Sequence, residues 1–388
     1  MMESKFAWDL KNLPFIYKEL DTPENENFIP NYLPLELIVD EKTGVLTQKK
    51  NELVEKTLEK AYKCGSVVAG VMDEESENTT YTSDFIDFLI ESLGGKKIEG
   101  LKILEIGSGT GFLLSEVQKL GAEVLGVEPG NHCLNAKKKY NVKIINDFFP
   151  TEDLGFDYDI IIMSIVFEHF QNPSLFLKSL GKYLKKDGLL IISVPDTEPF
   201  IKSGDISILF HEHYSFFTKD TLDNTLKLGG FNPILGRIGK YGGLLLRASL
   251  QTEKTLLTRQ EIQIGYDLAI NYKRKSQVYN KKLKEFLLNV KKERKSLGIY
   301  VPSRFLNILY TCNIEGLDLR FFDDNPSIEG KYYPGFNIPI ETKQDLIKKP
   351  TDIILIFSNS FGEKIKNNIL SELEGKQIIT WQELFEEK

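Results

Sequence analysis

Between Leu101 and Val194 the chain repeats one pattern five times: a short run rich in Val, Ile and Leu, then a helix-length polar or amphipathic stretch. The runs are Leu101 to Ile106, Glu123 to Val127, Val142 to Asn146, Tyr158 to Ser164 and Leu189 to Val194. A strand buried on both faces reads as a continuous apolar run, and parallel neighbours need a crossover helix between them. The pattern therefore predicts an α/β fold with a doubly wound, Rossmann-like parallel sheet. Such sheets bind ligands beyond the carboxyl ends of their strands, so the loops after these five runs are where chemistry is to be sought.

The chain has 388 residues, enough for two or three domains. Before the repeating pattern, Pro14, Pro23, Pro30 and Pro34 break up short apolar pieces, and DEKTG (Asp40 to Gly44) carries the turn residues of a small β-hairpin. Phe85, Phe88, Leu89 and Leu93 recur at helical spacing ahead of Gly94 and Gly95. After the pattern come a strand-like Leu244 to Ala248 and a charged helical stretch from Glu253 to about Lys295, read as a solvated helix. Gly298 to Val301, Asp318 to Phe322 and Asp352 to Phe357 then read as strands of a second αβ unit. The expected division is a small amino-terminal lobe (1–75), a Rossmann-like domain (76–250), and a helical connector with a C-terminal α/β domain (251–388).

Composition narrows the function. With 41% hydrophobic and 27% charged residues the chain is globular, and a net charge of -7 opposes general nucleic-acid binding, which needs a basic surface. No apolar run is long enough to span a bilayer, and Met1 to Phe15 carries charges and a proline where a signal peptide would have an apolar core, so the expectation is a cytoplasmic protein. Cys64, Cys133 and Cys312 form no CxxC pair and read as core fillers, with no metal expected.

LEIGSGTG (Leu104 to Gly111) sits where an apolar strand ends and a helix begins. Gly107, Gly109 and Gly111 let the backbone around Ser108 approach a ligand, and Phe112 stands where the dinucleotide fingerprint has its last glycine, so pyrophosphate is disfavoured. Glu105 places an acid near a ligand carrying positive charge. Glu128, 21 positions beyond Gly107 at the end of the next strand, is placed to accept hydrogen bonds from ribose hydroxyls. Asn146, Asp147 and Phe148 after the third strand offer polar and aromatic groups for an adenine, although Asp147 equally suits a turn or helix N-cap. Over Tyr81 to Ala248 this set resembles the class I methyltransferases, which implies S-adenosylmethionine as cofactor.

Three of the four histidines fall in two loops on the expected active face: His169 in VFEHF, and His211 and His213 in FHEHYSFF. His132, just past GVEPG, reads as a helix start. In an extended segment His211 and His213 would share one side and Glu212 the other. VFEHFQNP, HEHYSFF, GGLLLR (Gly242 to Arg247), DDNPSIEGKYYPGFNIPI (Asp323 to Ile340) and IFSNSFGEKI (Ile356 to Ile365) together resemble the C-methyltransferases that act on thymidine-diphosphate-linked keto-deoxysugars. That resemblance implies an amino-terminal zinc lobe, a central methyltransferase domain and a C-terminal Rossmann-like domain framing a sugar-nucleotide substrate. It also implies His213 as base, with Glu212, His169 and Tyr81 lining the pocket. Three departures stand out: Pro34 to Gln48 keeps the hairpin without the lobe's cysteines, Phe210 replaces a family tyrosine, and Tyr300 to Leu309 replaces a stretch with glycine and lysine.

Methylating carbon requires removing a proton beside a ketone, holding the enolate and aligning it with the methyl donor. A histidine, with an unperturbed pKa of about 6.5, suits that proton near neutral pH. The expected activity is C-methylation of a nucleotide-linked keto-deoxysugar by His-assisted enolisation. The alternatives are O- or N-methylation of a sugar or other small molecule, since the same base can deprotonate a hydroxyl, and a catalytically silent scaffold on the same fold.

Overall fold

The computed structural model describes residues 6–15, 19–23, 30–63, 79–240, 242–253, 255–302, 305–312, 314–358, 362–370, 372–373 and 375–385. Cys64 and parts of the Tyr300 to Leu309 and Ile356 to Ile365 stretches lie outside the described residues. The chain forms two compact units: Met1–Asp9, Glu36–Pro199 and His211–Ile270 make the first, and Leu10–Leu35, Phe200–Phe210 and Asn271–Lys388 the second.

In chain order the elements up to the long helix are β1 (Ala7–Pro14), β2 (Tyr32–Val39), β3 (Leu46–Gln48), α1 (Glu52–Lys63), α2 (Thr79–Ser92), β4 (Lys102–Ile106), α3 (Phe112–Lys119), β5 (Glu123–Val127), α4 (Ala136–Tyr140), β6 (Ile144–Ile145), β7 (Tyr158–Ser164), α5 (Pro173–Leu180), β8 (Leu184–Pro195), α6 (Glu198–Ser203), β9 (Ser215–Phe216), α7 (Lys219–Leu228), β10 (Phe231–Ile238), β11 (Gly243–Leu250) and α8 (Arg259–Lys292). A seven-stranded sheet has the order β10-β11-β8-β7-β4-β5-β6. β6, β5, β4, β7 and β8 run parallel, and β11 inserts antiparallel between β8 and β10. This is the doubly wound Rossmann-like sheet, closed at one edge by an antiparallel hairpin.

Its core is dry. Ile103, Leu104, Ile160, Ile161, Ile162, Leu190, Ile191 and Ile192 are each at most 1% exposed, and helices cover both faces of the sheet. Burying each such side chain contributes about 1.5–3 kcal/mol relative to exposure, which is why these strands show no alternation in sequence.

The hairpin expected at DEKTG forms: Leu37, Ile38 and Val39 pair with Gln48, Thr47 and Leu46. Asp40 accepts from the Lys42 and Thr43 amides at 3.0 and 2.8 Å and so fixes the turn. The tip of the turn rests on α8. A Cβ on Gly265 would lie 2.0 Å from the Gly44 carbonyl oxygen, so the contact requires a glycine inside a helix despite its cost of about 1 kcal/mol there. β3 pairs in turn with β9, through Leu46 to Phe216 and Thr47 to Ser215.

The second unit carries β12 (Ser296–Tyr300), α9 (Leu306–Tyr310), β13 (Asp318–Phe322), β14 (Ile340–Glu341), α10 (Lys343–Lys348), β15 (Ile353–Ile356), α11 (Gly362–Leu370) and β16 (Gln377–Thr380). All five strands are parallel in the order β14-β13-β12-β15-β16, as the second αβ pattern predicts. Trp381, fully buried, packs edge-on against Phe305, Phe357 and Tyr279. Cys133 and Cys312 are buried free thiols. Among the described residues no helix is long and apolar enough to cross a membrane.

Candidate active site

From β4 the chain winds one way to β5 and β6, and from β7 the other way to β8, so the order reverses between the adjacent strands β4 and β7. The loops leaving these two strands meet at that crevice. Gly107, Gly109 and Gly111 have φ of 72°, 54° and 87°, and a Cβ on Gly107 would stand 2.5 Å from a methyl of Val166. Ile165, just after β7, is itself left-handed at φ 55°, an uncommon state for a β-branched residue, and its amide bonds to the Ser193 carbonyl at 2.9 Å.

Glu128 ties the glycine loop to the end of β5: one carboxylate oxygen accepts from the Gly109 amide at 3.0 Å, the other from Gly130 at 2.7 Å. His132, in the short helical turn the sequence suggests, places Nε2 3.4 Å from the same carboxylate. Glu105 is 2% exposed, its Oε2 has no hydrogen-bond partner among the described residues, and burial, aided by the charge of Glu128, pushes its carboxyl up to about 8. The Ser108 hydroxyl is also buried without a partner. A backbone cradle, a buried acid lacking a counter-ion and a second acid at the next strand end fit a cationic ligand bearing hydroxyls. Past β6, the Asn146 amide is committed to the Glu128 and Gly130 carbonyls. Asp147 makes the alternative turn, accepting from the Phe148 amide at 2.7 Å, and Phe148 is 44% exposed.

The histidine segment is held by its backbone. The Gln48 amide and the Thr47 hydroxyl both donate to the Tyr214 carbonyl, at 2.8 and 2.5 Å, and the Gln48 side chain donates to that of His211 at 3.1 Å. The Tyr214 amide donates to the Glu168 carbonyl at 2.9 Å. The hairpin of the amino-terminal lobe thus holds this segment against the loop after β7. His211, Glu212 and His213 are all buried, at 0, 1 and 5% exposure. His211 and Glu212 lie at a turn rather than in a strand, and the charge of Glu212 acts on both Glu168 and Tyr62.

His213 meets His169 with ring centroids 5.3 Å apart, and Glu168 lies between them, its Oε1 3.8 Å from His213 Nε2 and 3.7 Å from His169 Nε2. The donor atoms of the three residues lie within 4.8 Å of one another. The Tyr62 hydroxyl bonds His169 Nδ1 at 2.9 Å. Burial holds His169 down to about 4, so it stays neutral, and pushes Glu168 up to about 8. Tyr81, on α2 and 37% exposed, lines a small cleft with Ser164, Ile165, Ser193, Gly243 and Leu245. Sequence reasoning passed over Glu168 and Tyr62. Glu168 adjoins His169 in the quoted VFEHF and was findable; Tyr62 has no signal in the sequence.

The chain is similar to known methyltransferases. A family model described as a methyltransferase domain matches residues 78–235, and one described as a C-methyltransferase C-terminal domain matches residues 249–380. C-methyltransferase NovU of Streptomyces niveus is 22% identical over 310 residues, covering 74% of this chain and 73% of NovU. A ubiquinone biosynthesis O-methyltransferase of Bradyrhizobium diazoefficiens is 32% identical over 104 residues, 24% of this chain and 40% of that protein. Among solved structures, a SAM-dependent methyltransferase from Aquifex aeolicus is 20% identical with a TM-score of 0.38, covering 45% of this chain and 93% of that one. The chain is an S-adenosylmethionine-dependent methyltransferase of class I. Within that class it resembles the C-methyltransferases, through its C-terminal domain and its likeness to NovU.

Proposed function

We propose that the enzyme methylates carbon beside the ketone of a nucleotide-linked keto-deoxysugar, with His213 removing the proton. The observation that carries this reading is the placement of His213: nearly buried, beside Glu168 and His169, on a segment pinned by its backbone to the loop after β7. Carbon as the acceptor is supported by the match to a C-methyltransferase C-terminal domain and by the likeness to NovU. The proposed division is a small lobe over 1–75, the methyltransferase domain with cofactor and base over 76–250, and a connector with a C-terminal Rossmann-like domain over 251–388.

S-adenosylmethionine supplies, when bound, an electrophilic methyl group on a sulfonium. The chain's own residues do the rest. The backbone of Gly107, Ser108, Gly109 and Gly111 cradles the cofactor, Glu105 faces its positive end, Glu128 accepts from its ribose, and Asp147 with Phe148 borders its adenine. His213 takes the proton from the carbon next to the ketone, while Glu212, His169 and Tyr81 line the pocket; His169, held neutral, can donate to the developing enolate oxygen.

Replacing Glu128 by alanine removes the ribose acceptor, where each hydrogen bond to a charged group is worth about 1.5–3 kcal/mol. Calorimetry with S-adenosylhomocysteine should show affinity lowered at least tenfold, and an unchanged affinity would refute the ribose assignment. The 32% identity over 104 residues with an O-methyltransferase supports a second reading, transfer to oxygen. Incubation with thymidine-diphosphate-linked keto-deoxysugars and methyl-labelled cofactor decides between them. We expect a product methyl carbon at the upfield position of a C-methyl; an O-methyl resonance overturns the assignment to carbon.

A further inference from the structure

We infer that Glu168 is a positioning residue for the base: its carboxylate orients His213 through Nε2 and carries the positive charge that the imidazole acquires when it takes the substrate proton. The inference rests on the reading of His213 as base. Glu168 is 1% exposed, and neither carboxylate oxygen has a hydrogen-bond partner among the described residues. A buried carboxylate with no donor is costly, so the group stays protonated unless its surroundings supply positive charge. The groups facing it are His169 beside it in the chain, His213 and Glu212 from the histidine segment, and Tyr62 from α1. Tyr62 and Glu212 supply no positive charge. His169 is bonded to the Tyr62 hydroxyl through Nδ1 and is held neutral by burial. His213 remains as the group that can meet the carboxylate with a proton and a charge.

The proton balance is simple. With Nε2–H directed at Glu168, the substrate C–H breaks, its electron pair stays on the substrate as the enolate, and the proton goes to the other ring nitrogen of His213. The imidazolium so formed faces an ionised Glu168, in the manner of the histidine–carboxylate pairs that hold one tautomer during acyl transfer. Once the methyl group is transferred, His213 releases its proton to solvent.

This pairing has a pH signature. The Glu168 carboxyl is raised to about 8, so it is neutral in most resting molecules at pH 6.5 and ionised at pH 9. Turnover of the native enzyme is expected to rise through that interval. Glu168→Gln keeps the shape and mimics the neutral acid, so it should lose the rising limb and at pH 9 be slower than the native enzyme by about tenfold or more. Glu168→Asp should restore part of that limb. Thermal unfolding and S-adenosylhomocysteine affinity, measured alongside, should match the native protein and so exclude misfolding. A native pH profile in Glu168→Gln, with His213→Ala inactive, overturns the inference alone; a fully active His213→Ala overturns the reading beneath it. Activity abolished by a chelator and restored by zinc would make the three groups metal ligands, and likewise overturns the inference.

Discussion

His213→Ala is expected to lower methyl transfer by about a hundred- to ten-thousandfold, the usual contribution of a positioned general base. Cofactor affinity should stay within a factor of two or so, because the residues proposed to hold the cofactor leave β4, β5 and β6 rather than the histidine segment. The backbone here is fixed independently of the imidazole, by Gln48 and Thr47 on one side and the Glu168 carbonyl on the other, so removing the ring should not release the segment. Single-turnover transfer with radiolabelled cofactor, beside calorimetry with S-adenosylhomocysteine, separates the two effects. Full activity in the variant would remove His213 from the mechanism. A loss of cofactor affinity as large as the loss of rate would turn its role into a structural one.

The sequence showed the strands best where burial is two-sided. β5, β7 and β13 form over the residues read as strands, and β4 starts one residue later, because central parallel strands carry their apolar residues without interruption. β6 shrinks to Ile144–Ile145 at the sheet edge, where fewer neighbours extend it. β10 has no apolar run to mark it: beyond buried Phe231 it alternates exposed with half-buried residues, contains Pro233 and Gly236, and shifts register between Pro233 and Leu235, features tolerated at an edge and not in a sheet centre. The long helix shows a different failure. Leu268, Tyr272, Val278, Leu283, Phe286 and Leu287 look only loosely periodic, and three of them are buried; the full set of buried positions, Gly265, Ala269, Tyr272, Ser276, Leu283, Leu287 and Val290, is a regular stripe whose small members carry no hydrophobic signal. In the site, clustering in sequence singled out His169 and His213. Glu168 escaped because a lone glutamate in a loop reads as solvated, and the carboxylate is buried only by residues that tertiary structure brings to it.

The second large effect should come from Asn307→Ala, a position with no feature of a catalytic residue. Asn307 is fully buried at the start of α9, and its side-chain amide donates to the Ile206 carbonyl at 2.5 Å and to that of Leu209 at 3.2 Å. Tyr272, equally buried on α8, donates its hydroxyl to the Asp205 carbonyl at 2.5 Å. Three carbonyls of one loop are therefore satisfied by side chains of the second unit, and that loop runs directly into His211. Removing the Asn307 amide takes the donor from the Leu209 carbonyl, at about 1–3 kcal/mol for a buried group left unpaired, whereas the Ile206 carbonyl keeps the Leu209 amide at 3.0 Å. Urea unfolding should register the loss as a lower midpoint. Turnover should fall as well, since the residues leading into His213, the proposed base, lose an anchor, while S-adenosylhomocysteine affinity is retained because the glycine loop leaves β4. A variant with native stability and native turnover would show that the loop keeps its course without the Asn307 amide.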